Sequence, residues 1–315
     1  MKRFLVCGTL IACVLGGLGA SGRQQPTFRG GSDAVRVFVT VTDRDGRLVT
    51  TLAKDNFEVR DDGKPQPITQ FDNTPQPIRL IVLLDVSGSM EGNLSLLRAA
   101  AAQLFGRLRA DDEARVGSFG HDVTISPTFT HDADALIAAL PRTIAPDAPT
   151  PLWRAIDQAV DAFGHDDDRR KAILVLSDGK DTGQQSFRQR PVSQAEVIDR
   201  AREEDVMIYG VGMRSRGTRS MPPGGPGGMQ ALLLADLPDP GLARVAEESG
   251  GGYIEIRPSQ DLGAAFAGVA DELHTQYLVA FAPPKRDGKV HDVSVRVAEK
   301  GMKARAKKSY VAPKA

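Results

Sequence analysis

Val35, Val37, Val39 and Val41 recur at every second position, with Arg36, Phe38, Thr40 and Thr42 between them. A period of two predicts a strand with one face toward a core. Asp43-Arg44-Asp45-Gly46 then supplies a turn. Residues Asn56 to Arg60 and Pro67 to Phe71 predict two more short strands around Asp61-Asp62-Gly63. Residues 34–76 therefore form a small β module, too small for a large core of its own.

The pattern changes at Arg79. Leu80 to Leu84 is a continuous apolar run, as expected of a strand covered on both faces. Leu94, Leu97, Ala101, Leu104 and Leu108 follow at helical spacing. Ala114 to Phe119 and Val123 to Phe129 predict a strand pair, and Ala133 to Leu140 and Pro151 to Phe163 predict helices. Ala172 to Leu176 and Val206 to Val211 are two more buried strands, separated by a helix over Gln194 to Glu204. Leu242 to Glu248, Tyr253 to Ile256 and Leu262 to His274 continue as helix, strand and helix. Buried strands alternating with helices predict an α/β fold, a doubly wound, mostly parallel sheet over residues 77–270. Within it, eight of the twelve residues 217–228 are Gly or Pro, marking an insertion loop over 214–240. Residues 276–313 alternate again and predict a C-terminal β extension.

Residues 1–20 have a different character. Lys2 and Arg3 precede an uncharged run from Phe4 to Gly19 that ends in small residues. That order reads as a secretory signal, followed by a polar linker at 21–33. An N-terminal membrane or lipid anchor is the alternative, since Leu10-Ile11-Ala12-Cys13 loosely resembles a lipobox. Cys7 and Cys13 are the only cysteines. Cleavage near Ala20 removes both and leaves no thiol or disulfide chemistry. The mature protein is then expected outside the cytoplasm, periplasmic or extracellular, with no membrane span. The 40 basic and 40 acidic residues balance, which argues against a nucleic-acid partner.

The informative chemistry is Asp85-Val86-Ser87-Gly88-Ser89, directly after a buried strand and before a helix. Ligands of open α/β sheets bind at the carboxyl ends of strands. Asp178 stands at the end of another buried strand, and Thr150 precedes a predicted helix start at Pro151. Two carboxylates and three hydroxyls, with no His or Cys, suit a hard divalent cation: Mg²⁺ first, with Mn²⁺ or Ca²⁺ as alternatives. Such a set leaves room for water or for an outside carboxylate.

At these residues the chain resembles the von Willebrand factor A domain family. Asp85-Val86-Ser87-Gly88-Ser89 is similar to its metal-ion-dependent adhesion site, D-x-S-x-S. Pro149-Thr150-Pro151-Leu152 looks like its threonine loop, and Ser177-Asp178-Gly179 like its terminal aspartate strand. The resemblance covers about Pro77 to Ala270, with the three motifs in order. It implies that Asp85, Ser87 and Ser89 coordinate the ion, with Thr150 and Asp178 direct or through water. Pro149 stands where the family often has Gly. Gly permits positive φ and Pro fixes φ near about −65°, so the threonine loop is expected to take its own path. The flanks (Val37 to Asp45, Asn56-Phe57-Glu58-Val59, Gln276-Tyr277 and Ser309-Tyr310) look like those of secreted bacterial proteins described as VWFA-related, abundant in acidobacteria.

An aspartate after a buried strand is also similar to the haloacid dehalogenase-like phosphatases, but Ser87 stands where those need a second acid. His121, His131, His165, His274 and His291 are scattered without metal spacing, and neither a G-x-S-x-G elbow nor a phosphate loop occurs. Asp166-Asp167-Asp168 reads as a solvated loop. The sequence therefore points to an exported, non-enzymatic interaction or adhesion module. Its cation would bind an Asp or Glu of a protein or peptide partner. A metal-dependent hydrolase or other envelope enzyme is the alternative.

Overall fold

The period-two run folds as β1 (Val35–Thr42), with Val37, Val39 and Val41 on its buried face. The computed structural model describes residues 34–164, 169–178, 181–182, 190–213, 239–257 and 260–314. The expected signal and linker, the Asp166-Asp167-Asp168 loop and nearly all of the 214–240 insertion lie outside the described residues. β2 (Phe57–Asp61), β3 (Lys64–Gln66) and β4 (Ile68–Asp72) complete the N-terminal strands. β3 carries no apolar alternation, and the sequence pattern gives no sign of it. It forms because Asp62 and Gly63 both take positive φ, 47° and 77°, and fold β3 back onto β2 as a two-residue hairpin.

β5 (Ile78–Asp85), β6 (Glu113–Phe119), β7 (Val123–Ile125), β8 (Arg170–Ser177), β9 (Val206–Met213) and β10 (Tyr253–Ile256) make one six-stranded sheet. Its order is β10-β9-β8-β5-β6-β7, parallel except for the antiparallel edge β6/β7. The helices are α1 (Leu94–Phe105), α2 (Ala133–Ala138), α3 (Leu152–Asp161), α4 (Gln194–Glu203), α5 (Pro240–Ser249) and α6 (Leu262–Thr275).

The apolar run in β5 serves two cores at once. Leu80, Val82 and Leu84 pack with Leu97 and Leu104 of α1, Leu136 of α2 and Phe266 and Leu273 of α6. Ile81 and Leu83 face the other way, toward Ile156 and Val160 of α3, Val197 of α4 and Val245 of α5. This two-sided burial is why the central strands read as unbroken apolar runs. The fold is the expected doubly wound α/β layer structure, with additional small antiparallel sheets.

The C-terminal strands are β11 (Tyr277–Phe281), β12 (Val290–Val297), β13 (Lys303–Arg305) and β14 (Ser309–Val311). They pair with the N-terminal ones: the two small sheets run β13-β1-β11-β4 and β14-β12-β2-β3. Their shared core holds Val37, Phe57, Val59, Tyr277, Phe281, Val293 and Tyr310. Segments too small to bury a core alone thus complete each other's sheets across the whole α/β domain.

A polar cluster joins these sheets to the α/β layer. Thr40 Oγ1 and Tyr209 Oη both donate to Glu272 Oε1, at 2.9 and 2.6 Å, and Arg305 pairs with the same carboxylate. The Arg170 guanidinium lies 4.4 Å from the centre of the Phe38 ring and also bonds Leu273 O and Gln276.

Candidate metal centre

Asp85 closes β5, and Ser177 closes the neighbouring parallel strand β8, in register beside it. The parallel pairing therefore delivers Asp85 and Asp178 to the same carboxyl edge of the sheet. Both are buried, at 0% and 1% exposure. After Asp85 the chain turns back on its own carboxylate. The Ser87 N–H donates to Asp85 Oδ1 at 2.9 Å, an aspartate-stabilised turn. One 3-10 turn over Gly88–Met90 then leads toward α1, with Met90 buried beneath it.

The side chains form two hydrogen-bonded runs, joined by the Ser87 N–H. Ser177 Oγ donates to Asp85 Oδ2 at 2.5 Å. Ser87 Oγ and Ser89 Oγ stand 3.0 Å apart, and Ser89 Oγ donates to Asp178 Oδ1 at 2.7 Å. Asp178 Oδ2 is buried with no hydrogen-bond partner among the described residues. Burial pushes the Asp85 carboxyl up to about 6; the bonds from Ser177 and Ser87 oppose the rise and the Asp178 charge adds to it. Burial also raises the Asp178 carboxyl, against the Ser89 bond.

Thr150 arrives on a separate loop that is fastened to the motif. The Ala145 N–H donates to Val86 O at 3.0 Å. Gly88 sits so close to Pro146 that a Cβ would overlap its carbonyl oxygen and lie 2.8 Å from its carbonyl carbon. Thr150 itself is buried and clasped at its backbone. Its N–H donates to Thr182 Oγ1 at 2.9 Å, and its carbonyl accepts from the Thr182 N–H at 3.1 Å. No hydrogen bond joins the Thr150 side chain to the other four residues among the described residues. The structure thus links Asp85, Ser87, Ser89 and Asp178 directly and fastens the loop that carries Thr150 to Val86 and Gly88 at Ala145 and Pro146.

Three supporting groups escape sequence reasoning. Ser177 stands in the Ser177-Asp178-Gly179 motif, yet its bond to Asp85 follows only from strand register. Thr182 carries no pattern signal; its clasp holds the threonine loop where Pro149 replaces the usual Gly. Asp239 caps α5 by accepting from Gly241 N–H at 2.8 Å, and its other oxygen accepts from Asp181 N–H at 3.0 Å.

The residues fit a divalent cation. Two buried carboxylates with raised pKa values, one of them with an oxygen that has no hydrogen-bond partner among the described residues, crowd acidic oxygens into a low-dielectric place. Neighbouring oxygens of a Mg²⁺ octahedron, with bonds of about 2.0–2.1 Å, stand about 2.9 Å apart. The 3.0 Å between the two serine hydroxyls matches that spacing.

Residues 80–180 match the family described as von Willebrand factor type A domain. Among solved structures, a von Willebrand factor type A protein from Catenulispora acidiphila is similar at 12% identity, covering 91% of this chain and 76% of that one, with a TM-score of 0.47. An aerotolerance-related membrane protein from Bacteroides fragilis is similar at 15% identity over 62% of this chain and 98% of its own, with a TM-score of 0.42. Proximal thread matrix protein 1 of the mussel byssus, solved with zinc in its metal-ion-dependent adhesion motif, is similar at 14% identity over 69% of this chain and 50% of its own, with a TM-score of 0.45. No curated protein sequence matches the chain.

Proposed function

Since residues 80–180 are a von Willebrand factor type A domain, we propose that this chain is a non-enzymatic, metal-dependent interaction module. It binds a carboxylate of a protein or peptide partner through a divalent cation. Asp85, Ser87 and Ser89 would hold the ion, with Asp178 and Thr150 direct or through water. Mg²⁺ is the first choice, and Mn²⁺ or Ca²⁺ are compatible with the same all-oxygen set. The observation that carries this reading is the buried Asp85 and Asp178 pair, with Asp178 Oδ2 unpartnered among the described residues and two serine hydroxyls beside the pair.

When bound, the ion supplies a localised positive charge at an otherwise acidic sheet edge. The chain's own residues do the rest. Ser177 and the Ser87 N–H fix both oxygens of Asp85. Ser89 orients Asp178. Because the chain is neutral overall, selectivity comes from this point charge and the loops around it, not from a bulk field. We also read the protein as exported, from the character of residues 1–20. Among the described residues, no helix is long and apolar enough to cross a membrane.

The test is a binding assay with immobilised protein and a library of Glu- and Asp-containing peptides, each paired with its Gln or Asn counterpart. Acidic peptides should be retained in Mg²⁺, released by EDTA and lost by Asp85→Ala, with the amide counterparts not retained. Retention that ignores EDTA would overturn the reading.

A further inference from the structure

A second group of metal-ligating side chains lies in the small β sheets, on elements separate from the Asp85 site. Asp61 ends β2, Asp62 begins the hairpin turn, and His291 lies near the start of β12. One ligand atom from each lies within 4.8 Å of the others. Asp61 and His291 are almost fully buried, at 2% and 3% exposure.

Each group is already aimed. The Asp292 N–H donates to Asp62 Oδ1 at 3.1 Å, which leaves Asp62 Oδ2 facing His291 Nδ1 at 3.5 Å. Asp61 Oδ1 lies 3.0 Å from the same nitrogen and accepts from Tyr310 Oη at 3.0 Å. On the far side of the ring, His291 Nε2 faces Asp287 Oδ1 at 3.2 Å, and that oxygen also accepts from the Lys289 N–H at 3.0 Å.

The arrangement calls for positive charge, which an imidazolium donating from Nδ1 to Asp61 and from Nε2 to Asp287 supplies to two of the carboxylates and a metal ion on Nδ1 would supply to Asp61 and Asp62 together. If His291 carries its proton on Nε2, toward Asp287, the Nδ1 lone pair confronts two carboxylate oxygens. A proton on Nδ1 forms one good bond, to Asp61, and leaves Asp62 Oδ2 at 3.5 Å, the limit of such a bond. A metal ion bonds all three at once. With metal–ligand bonds of about 2.0–2.1 Å, tetrahedral ligand atoms stand about 3.3 Å apart. The 3.0 and 3.5 Å spacings bracket that value. The outer groups also fit. A metal-ligating imidazole characteristically donates its other N–H to a carboxylate, as Nε2 can to Asp287.

We propose that Asp61, Asp62 and His291 Nδ1 form a second metal site, for a divalent transition ion of the Zn²⁺ kind. Asp287 orients the histidine and Tyr310 orients Asp61. One imidazole nitrogen with two carboxylates suits Zn²⁺ or Mn²⁺ better than Mg²⁺ or Ca²⁺, which favour oxygen alone. The ion takes the place of the Nδ1 proton, which leaves to solvent. It ties the β2/β3 hairpin to β12 and, through Tyr310, to β14, so it cross-links N-terminal and C-terminal strands. The site is independent of the proposed carboxylate-binding function.

The test uses the full chain carrying Asp85→Ala, which takes the α/β-domain site out of the count. Titration with Co²⁺ and Zn²⁺ should give one equivalent bound, and Co²⁺ should give visible ligand-field absorption. Adding Asp62→Asn should weaken Co²⁺ binding at least tenfold; asparagine tolerates the positive φ at this exposed turn, so the fold persists. His291→Gln should remove the visible band. Folded Asp85→Ala protein that binds neither ion below about 100 μM would overturn the proposal. So would a Co²⁺ affinity unchanged by Asp62→Asn.

Discussion

Gly88→Ala tests whether the metal motif depends on its packing against the 145–150 loop. The added Cβ would overlap the Pro146 carbonyl oxygen and lie 2.8 Å from its carbon. Carbon atoms in ordinary contact stand about 3.5–4.0 Å apart, and the carbonyl oxygen lies closer still, so one of the two loops must retreat by more than about 1 Å. Both obstructing atoms are backbone, so no side-chain rotation relieves the clash. Overpacking of this kind costs about 1–3 kcal/mol of stability. The larger effect falls on the ion. A shift of that size is about half of a Mg²⁺–oxygen bond, and Mg²⁺ demands near-ideal octahedral geometry. A loss equal to one hydrogen bond to a charged group, about 1.5–3 kcal/mol, predicts a roughly 10- to 150-fold weaker Mg²⁺ affinity. Calorimetric titration gives the affinity, and thermal denaturation in EDTA reports the fold separately. A folded Gly88→Ala protein with Mg²⁺ affinity within about twofold of wild type would refute the reasoning.

Two further predictions concern stability. Gly268 lies exposed within α6 with open space around the position of a Cβ, so Gly268→Ala should stabilise the fold by about 0.5–1 kcal/mol in urea denaturation. Destabilisation there would contradict the placement of α6. Asp112 is buried and accepts from Ile78 N–H at 3.0 Å, Arg109 N–H at 2.7 Å and His274 Nε2 at 2.7 Å. Burial pushes its carboxyl up, but these bonds together outweigh burial and hold it below the usual value. A depressed carboxyl contributes stability above its unfolded pKa and loses it as pH falls through the folded one. The wild type should therefore lose more stability than Asp112→Asn below about pH 4. At neutral pH Asp112→Asn should cost about 1–3 kcal/mol, and a stability difference that stays constant from neutral pH into acid would count against this assignment.

The α/β layer was legible because its central strands β5, β8 and β9 each carry a buried, largely apolar run. Leu80 to Leu84 reads as buried on both faces, and each face has its own core. The proposed metal motif stood out for a related reason: Asp85, Ser87 and Ser89 are local in sequence, and Asp178 follows a strand of the same type. What connects them did not. The Ser177 bond to Asp85 depends on the register of β5 against β8, and the Thr182 clasp on Thr150 joins loops 32 residues apart. The pairing of N-terminal with C-terminal strands was hidden for the same reason, since alternation in β1 shows a buried face but not its partner, and the unbroken apolar run of β11 shows burial but not against what. His291 looked isolated because its carboxylate neighbours Asp61 and Asp62 lie about 230 positions away along the chain.

The central claim, that Asp85, Ser87, Ser89 and Asp178 hold a divalent cation, is tested most directly by calorimetric titration of Mg²⁺ into wild-type and Asp85→Ala protein after exhaustive dialysis against EDTA. The account predicts saturable binding of Mg²⁺ by the wild type and an affinity at least about 100-fold weaker in the variant, with circular dichroism unchanged. Equal Mg²⁺ affinity in the two folded proteins, or no Mg²⁺ binding by the wild type, would contradict it.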